Sequence, residues 1–393
     1  MADLETFRED VHRWLESNAP ASMRTPPKAA EDLCWGGKKG KYPEETLRWL
    51  AIMAERGFTA PTWPREYGGA GLSKDEAKAL SQEMGKLRIR PALMGFGLEM
   101  IGPLLLQAGN AEQKAQHLPR IARGQVRWCQ GYSEPGAGSD LAGLQTRAVR
   151  DGDHFVLNGQ KVWTSYGEKS DWMFILVRTD VERKHAGITF LLFDMETPGV
   201  SVRPIKLISG ASPFCETFLT DVRVPVGNVV GEINAGWNIA KTLLRFERNM
   251  IADAFKERDD RSRLLKLGRR YIGPDTGRLA DPVLRDRVTQ VELDQQALDL
   301  TLSRSRDRLK AGQPPGAEAS IFKLYGTELN QRRRDLMGAI AGPQGLGWDG
   351  AGFTDEEVAM TRDWLRSRGN TIEGGTSEIQ LNIIAKQVLG LPD

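Results

Sequence analysis

The most informative segment of the chain reads Gly131-Tyr132-Ser133-Glu134-Pro135-Gly136-Ala137-Gly138-Ser139-Asp140. Its glycines and serines allow consecutive backbone N–H groups to face an anion or the edge of a ring. Taken alone, such a stretch is most often only a loop. Its meaning therefore depends on the segments on either side of it, where the residue pattern changes at about residue 128.

The residues before this stretch have the periodicity of helices. Apolar side chains near the N-terminus recur at three- and four-residue steps, and a second such run spans Glu44 to Glu55. Further along, Ser73 followed by Glu76 is typical of a capping box at the start of another helix. We therefore predict an α-helical domain over residues 1–127.

The residues after the stretch first have the pattern of strands and then that of helices. Short β-branched and aromatic runs are broken by Gly, Pro and Asn-Gly; they are His154 to Leu157, Trp172 to Thr179, Gly187 to Asp194 and Phe214 to Thr220. Helical periodicity returns over 236–267, 282–310, 318–338 and 377–389. This order predicts a β domain over 128–230 and a C-terminal helical domain over 231–393.

Composition and charge exclude several classes of protein. The chain has 393 residues, with 54 Lys and Arg against 52 Asp and Glu, and a formal net charge of +2. Without a basic run or an acidic tail, the chain is not built to bind nucleic acid. Its apolar runs are too short to cross a bilayer, and an acidic N-terminus without an apolar segment predicts a cytoplasmic protein.

Several kinds of chemistry lack the residues that they need. The three cysteines and four histidines are scattered, which argues against disulfides and against a zinc site. No serine lies in a G-x-S-x-G elbow. The G-x-G-x-x-G pattern at 345–350 follows a predicted helix rather than a strand, so it does not predict a dinucleotide-binding unit. The chemistry must come from carboxylates or from a cofactor.

One carboxylate lies in the middle of an apolar helix face. At 100° per residue, Glu247 shares its face with six apolar side chains. They are Ala240, Leu243, Leu244, Met250, Ile251 and Ala254. Burial there raises the pKa of a carboxyl group or demands a charged partner. The periodicity leaves two interpretations open: Glu247 is a general base, or it forms a structural ion pair with Arg245, Arg248 or a residue on another helix.

Three segments resemble signatures of the acyl-CoA dehydrogenase family. They are 132–140, Asn158-Gly159-Gln160-Lys161-Val162-Trp163-Thr164-Ser165 with the Ser170-Asp171-Trp172 that follows, and Thr371-Ile372-Glu373-Gly374-Gly375-Thr376-Ser377-Glu378-Ile379-Gln380. The resemblance covers the whole chain. It implies an α+β multidomain fold with an N-terminal helical domain, a β-barrel-like middle domain and a C-terminal four-helix bundle, and it implies FAD as the cofactor.

The resemblance also implies the residues that bind the cofactor and the substrate. Tyr132 and Ser133 would line the isoalloxazine edge, and Trp163, Thr164 and Ser165 would pack against the ring and its N5 side. The full implied set for FAD is Tyr132, Ser133, Ser139, Trp163, Thr164, Ser165, Thr376 and Glu378. Ser139 would also lie near coenzyme A, and Arg248 would contact the substrate or orient the base.

The family's usual catalytic glutamate is missing. On the last signature that position is Gly374, and Glu373 lies one residue early, before a turn. A branch of the family carries the base instead on a helix of the last domain, in a Glu-Arg pair that Glu247-Arg248 matches. The implied reaction is α,β-dehydrogenation of a branched, long-chain, cyclic or steroid-derived acyl-CoA. Glu247 would take the α-proton, FAD N5 the β-hydride, and an electron-transfer flavoprotein the electrons.

Two expected FAD contacts from a neighbouring subunit are also missing. Pro274 stands where the family has an arginine and Ala339 where it has a glutamine, although Arg269, Arg270 or Arg278 could compensate. We therefore expect a tetramer, of the α2β2 type with a paralogous subunit. The alternatives are an acyl-CoA oxidase-type flavoenzyme and a non-catalytic acyl-CoA-binding subunit.

Overall fold

The computed structural model describes residues 2–25, 27, 32–244, 260–273, 279–313, 316 and 318–392. The chain divides into two compact units. Unit one comprises Met1–Ile205 and Pro213–Phe246, and unit two comprises Lys206–Ser212 and Glu247–Asp393. Each unit is described by itself below.

Unit one begins with helices packed around large apolar side chains. The helices are α1 (Ala2–Asn18), α2 (Glu44–Glu55), α3 (Lys74–Lys86), α4 (Gly102–Ala108) and α5 (Ala111–Ala122), and a further helix, α6, is described over 236–244. Trp49, Leu15 and Met53 are almost fully buried in their core. The expected capping box is present, because the Glu76 N–H donates to Ser73 Oγ (3.2 Å) and the Ser73 N–H donates to Glu76 Oε2 (2.8 Å).

The second part of unit one is a seven-stranded mixed sheet. Its strands are β1 (Trp128–Gly131), β2 (Arg147–Asp151), β3 (His154–Ser165), β4 (Trp172–Arg178), β5 (Ile188–Asp194), β6 (Val200–Ile205) and β7 (Phe214–Pro225). The order is β1-β4-β2-β3-β7-β6, with β5 paired to β4. Only the β1–β4 and β2–β4 pairs are parallel. Every residue of β4 is buried, which explains its uninterrupted apolar sequence.

Unit two is helical. Its helices are α7 (Asp260–Tyr271), α8 (Pro282–Lys310), α9 (Ala319–Ala341), α10 (Asp355–Ser367) and α11 (Ser377–Ile383), and α11 continues into a π-helical turn, Ile384–Val388. Their apolar faces form one core that includes Leu264, Val291, Leu336 and Met360. The helical, β, helical order confirms the predicted fold class. None of the helices described in either unit has the length and apolarity that a bilayer crossing requires.

Candidate functional site

The glycine-rich segment leaves β1 in a tightly packed turn. A Cβ on Gly131 would lie 2.5 Å from Met173 Sδ, so a larger residue there would require the Met173 side chain to move. Tyr132 is buried, and its ring packs edge-on against Phe174 and Phe190, with centroids at 6.1 and 6.4 Å. Glu134 and Ala137 then exchange backbone hydrogen bonds of 3.0 Å each. Ser139 follows this turn as an exposed residue.

A bulge in β3 turns an aromatic side chain outward. Lys161 pairs with Thr217 of β7 and Thr164 pairs with Cys215, so two residues of β3 lie opposite one of β7. One of the two is Trp163, which has a left-handed φ of +63° and remains 55% exposed. Its ring meets Phe214 edge-on at 6.0 Å. A positive φ in a non-glycine residue is a strain that often occurs at functional sites, so Trp163 is a candidate ligand contact.

Thr164 and Ser165 follow the bulge but are less exposed than Trp163. The side chain of Thr164 is fully enclosed, and its hydroxyl accepts a hydrogen bond from Thr217 Oγ1 at 3.2 Å. Thr164 as a whole residue, backbone included, has 0% exposure among the described residues, so it presents no accessible surface to a ligand there. Ser165 is half-buried, and Tyr166 after it has a φ of +50°.

A buried ion pair joins the two segments. Lys161 Nζ donates to Glu134 Oε1 at 2.8 Å, and Lys161 is 0% exposed. Burial lowers the pKa of Lys161 to about 8, against the attraction of Glu134. Burial would raise the pKa of Glu134, but Lys161 and hydrogen bonds from Thr146 and Gln145 outweigh it and hold that pKa below its usual range. Both groups are therefore charged at neutral pH.

An arginine sandwich behind the bulge was missed by the sequence analysis. The Arg127 guanidinium lies 4.9 Å from the Trp35 ring centroid and 4.7 Å from that of Tyr166, and Arg127 is 6% exposed. The backbone N–H of Arg127 donates to the Asp171 carboxylate, with the nitrogen 2.8 Å from Oδ2. No sequence signal links these residues, because they come from distant segments that meet only in the folded chain.

In unit two, the last signature forms a turn at the start of α11. Gly374 and Gly375 have φ values of +65° and +91°, and Thr376 caps the helix by accepting from the Ile379 N–H at 3.3 Å. Gln380 Nε2 donates to the Gly374 carbonyl at 3.2 Å. Glu378 lies exposed in the first turn of the helix.

The carboxylate of Glu373 is hydrogen-bonded by two neighbouring side chains. Arg366 Nη2 donates to its Oε2 at 2.6 Å, and Asn370 Nδ2 donates to its Oε1 at 2.6 Å. Gly374, which occupies the family's usual base position, has no side chain. Both oxygens of the Glu373 carboxylate thus accept hydrogen bonds from neighbouring side chains, while Glu378 of the same signature is exposed.

Three buried polar atoms around this turn have no hydrogen-bond partner among the described residues. They are Lys323 Nζ, Ser377 Oγ and Gln380 Oε1. Burial lowers the pKa of Lys323, which is 4% exposed. Buried polar groups are normally satisfied, so these atoms fit a polar ligand. In unit one, the exposed Trp163 fits an aromatic ring; in unit two, these polar atoms fit polar groups of a cofactor such as FAD.

Some predicted residues lie outside the described part of the chain. They are Glu247, Arg248, Pro274 and Arg278. On α6, Ala240 and Leu243 of the predicted apolar face are fully buried. Ala339 lies within α9, and Arg270 donates to Glu356 at 3.0 Å.

Other candidate sites are less informative. No group of three metal-ligating side chains occurs in the described ranges. A groove of about 1000 Å³ in unit one is lined by Arg56, Arg65 and Arg123 among others, and by none of the predicted flavin residues. The glycines at 345–350 follow α9 and the 3-10 turn Gly342–Leu346 rather than a strand, so the dinucleotide-binding interpretation is excluded.

Comparison with known protein families matches the whole chain. The acyl-CoA dehydrogenase N-terminal domain matches residues 2–125, the middle domain 129–222 and the C-terminal domain 234–389. Acyl-CoA dehydrogenase IpdE1 of Mycobacterium tuberculosis is 36% identical over 395 residues, which cover 100% of this chain and 99% of that protein. Acyl-CoA dehydrogenase FadE34 of the same organism is 38% identical over 89% of this chain and 47% of its own length.

Solved structures give the same result. The Tcur3481-Tcur3483 steroid ACAD has a TM-score of 0.77 and 30% identity, covering 100% of this chain and 98% of that one. The ChsE4-ChsE5 complex from Mycobacterium tuberculosis has a TM-score of 0.75 and 30% identity, with the same coverage. The chain belongs to the acyl-CoA dehydrogenase family of FAD-dependent oxidoreductases.

Proposed function

We propose that the protein removes the α- and β-hydrogens of an acyl-CoA thioester with Glu247 as the base. One observation carries this assignment. The Glu373 carboxylate accepts hydrogen bonds from Arg366 and Asn370, and Gly374 has no side chain. The reaction needs a carboxylate. Glu247, predicted to lie on the apolar face that begins with Ala240 and Leu243, matches the base position of the other branch of the family.

The chain's own residues would bind and orient the reactants. Trp163 would cover the flavin ring and Tyr132 with Ser133 its edge, while Thr376, Ser377 and Glu378 would hold polar parts of the cofactor. Bound FAD would supply the hydride acceptor. Glu247 would take the α-proton, and its apolar surroundings would raise its pKa and strengthen it as a base. Ser139 and Arg248 would contact the thioester substrate.

A pair of matched variants tests the assignment of the base. Glu247→Gln should retain bound flavin but lose about a thousandfold or more in the rate of flavin reduction by acyl-CoA. Glu373→Gln, the control, should stay within about tenfold of wild type, because its amide can still bind Arg366 or Asn370. The opposite result, a silent Glu247→Gln and an inactive Glu373→Gln, would assign the base to Glu373.

We further propose a bulky, cyclic or steroid-derived acyl group and an α2β2 assembly with a paralogous subunit. Support comes from the relatives: one similar structure is called a steroid ACAD, and another is a complex of two differently named chains. Ala339 adds to this, because alanine on α9 cannot donate to a neighbour's FAD as the family's glutamine does. The proposed domain boundaries remain 127/128 and 230/231.

Native mass spectrometry tests the assembly. Expressed alone, the chain should bind less than one FAD per subunit, and co-expression with its paralogue should give a heterotetramer with higher flavin content. A fully flavinylated, active homotetramer would contradict the proposal. We propose an electron-transfer flavoprotein as the acceptor, and rapid reoxidation by O₂ during turnover would instead indicate an oxidase.

A further inference from the structure

The ion pair between Lys161 and Glu134 lies where two predicted flavin-facing segments of unit one meet. Lys161 Nζ donates to Glu134 Oε1 at 2.8 Å and also to the Tyr132 carbonyl at 3.1 Å. The next residue on β3, Val162, donates its N–H to the Ser133 carbonyl at 2.9 Å. Three bonds from adjacent residues thus tie the Tyr132–Glu134 segment to the strand that carries the Trp163 bulge.

The Glu134 carboxylate also accepts hydrogen bonds from the backbone of a second segment. Its Oε2 accepts from the Gln145 N–H at 2.6 Å, and its Oε1 accepts from the Thr146 N–H at 2.9 Å. Arg178 lies nearby and binds the carbonyls of Ala142 and Leu144, at 2.6 and 3.3 Å. The carboxylate therefore cannot move without breaking contacts to two separate stretches of chain.

Stability alone does not account for this pair. Apolar side chains of similar volume in place of a buried ion pair are often neutral or stabilising. Removing one partner, in contrast, leaves a buried charge without compensation. Since Lys161 is 0% and Glu134 8% exposed, water cannot screen such a charge. What the pair provides is a fixed geometry and a local charge that sums to zero.

We infer that Lys161 and Glu134 are positioning residues of the flavin site, which hold the Tyr132–Ser133 segment against the Trp163 bulge and keep uncompensated charge away from the flavin. This inference rests on the proposed function. Its specific consequence is that the two single charge deletions act on the flavin differently. Lys161→Met leaves the carboxylate charge of Glu134, which the N–H groups of Gln145 and Thr146 still hold. Glu134→Gln removes the attraction that keeps the buried Lys161 protonated, so the amine becomes neutral and no charge is left.

Dye-coupled anaerobic measurement of the bound flavin's midpoint potential tests the inference. Because reduction adds negative charge to a flavin, Lys161→Met should lower the potential, whereas Glu134→Gln should leave it near the wild-type value. Both variants should weaken FAD binding about tenfold or more. The double variant Lys161→Met/Glu134→Gln should return towards the wild-type potential, and it keeps the test available if a single variant fails to fold.

The matched control is Lys184→Met, which breaks an exposed pair with Asp140 in the same unit, where the side chains are 58% and 65% exposed. Water screens that pair, so the potential should not change. Equal shifts of one sign in both single variants, or no shift in either, would overturn the inference. Wild-type protein that binds no FAD would instead overturn the proposed function itself.

Discussion

His117 provides a prediction whose size follows from its surroundings. It lies on α5, is 1% exposed, and packs edge-on against Trp128 and Trp172 with centroids at 5.1 and 4.6 Å. Its Nδ1 has no hydrogen-bond partner among the described residues. Burial, helped by the nearby charge of Arg120, lowers the pKa of His117 to about 4 from an ordinary 6.5.

The sign of the pH effect follows from this depressed pKa. Between pH 6.5 and pH 4 the unfolded chain binds a proton that the folded chain does not, so stability falls as the pH falls through this window. The loss reaches about 2 kcal/mol at pH 5 and about 3 kcal/mol below pH 4. For a unit of this size, about 2 kcal/mol corresponds to about 4–8 °C in melting temperature.

His117→Phe keeps an aromatic ring in place but removes the titration. Tryptophan fluorescence should follow the melting, since Trp128 and Trp172 flank the site. Between pH 7.5 and pH 5, wild type should lose about 4–8 °C more than the variant. His185→Phe, at an exposed position, is the control and should keep the wild-type pH dependence. Parallel curves for wild type and His117→Phe would refute the reasoning.

Three further predictions concern a buried carboxylate, the bulge and the last turn. Burial would raise the pKa of Glu83, but hydrogen bonds from Arg8, His12 and Lys86 hold it at about 2. The stability that the ionised Glu83 contributes is therefore lost as the pH falls from 4.5 to 2. Glu83→Gln should lower the free energy of unfolding by about 2 kcal/mol at pH 7, measured by urea unfolding, and should flatten the acid-unfolding curve. Trp163→Gly should raise the stability of the apoprotein by about 0.5–1 kcal/mol, because glycine adopts the positive φ of this position without strain. The same variant should weaken FAD binding about tenfold in fluorescence titration. Retained affinity would place the Trp163 ring away from the flavin. Gly375→Ala should cost about 1–2 kcal/mol, because φ is +91° and the new Cβ would lie 2.5 Å from Gln380 Nε2, whereas Gly138→Ala has nothing within 4 Å and should be silent.

Local sequence signals predicted the elements that depend on local chemistry. The bounds of α2 and α8 agree with the predicted runs 44–55 and 282–310, and the Ser73 capping box was correct. The buried strands β4 and β5 were also found, because their apolar runs are continuous.

Elements that depend on pairing were missed or cut short. Asn158-Gly159 was interpreted as an interruption, but β3 continues through it to Ser165 with a register shift. Gly159 has a φ of +154°, and a Cβ there would lie 2.6 Å from Thr146 Oγ1, so its role is close approach rather than a turn. Strands β2 and β6 are largely exposed, and their mixed polarity concealed them.

Only part of the candidate site could likewise be predicted from the sequence. The glycine-rich segment and the aromatic position 163 could be recognised from sequence, because they are contiguous. The Arg127 sandwich, the Lys161–Glu134 pair and the unpartnered Lys323 could not, since each depends on segments brought together by folding. The ion pair between Arg366 and Glu373 likewise could not be predicted from the sequence.

Anaerobic titration of the purified flavoprotein, co-expressed with its paralogue, tests the central claim most directly. A panel of straight-chain, branched and steroid-derived acyl-CoA thioesters would be added while the visible flavin absorption is followed. We expect stoichiometric bleaching by at least one bulky acyl-CoA in the wild type, and none in Glu247→Gln. A flavin that stays oxidised with every thioester, or that bleaches at the wild-type rate in Glu247→Gln, would contradict it.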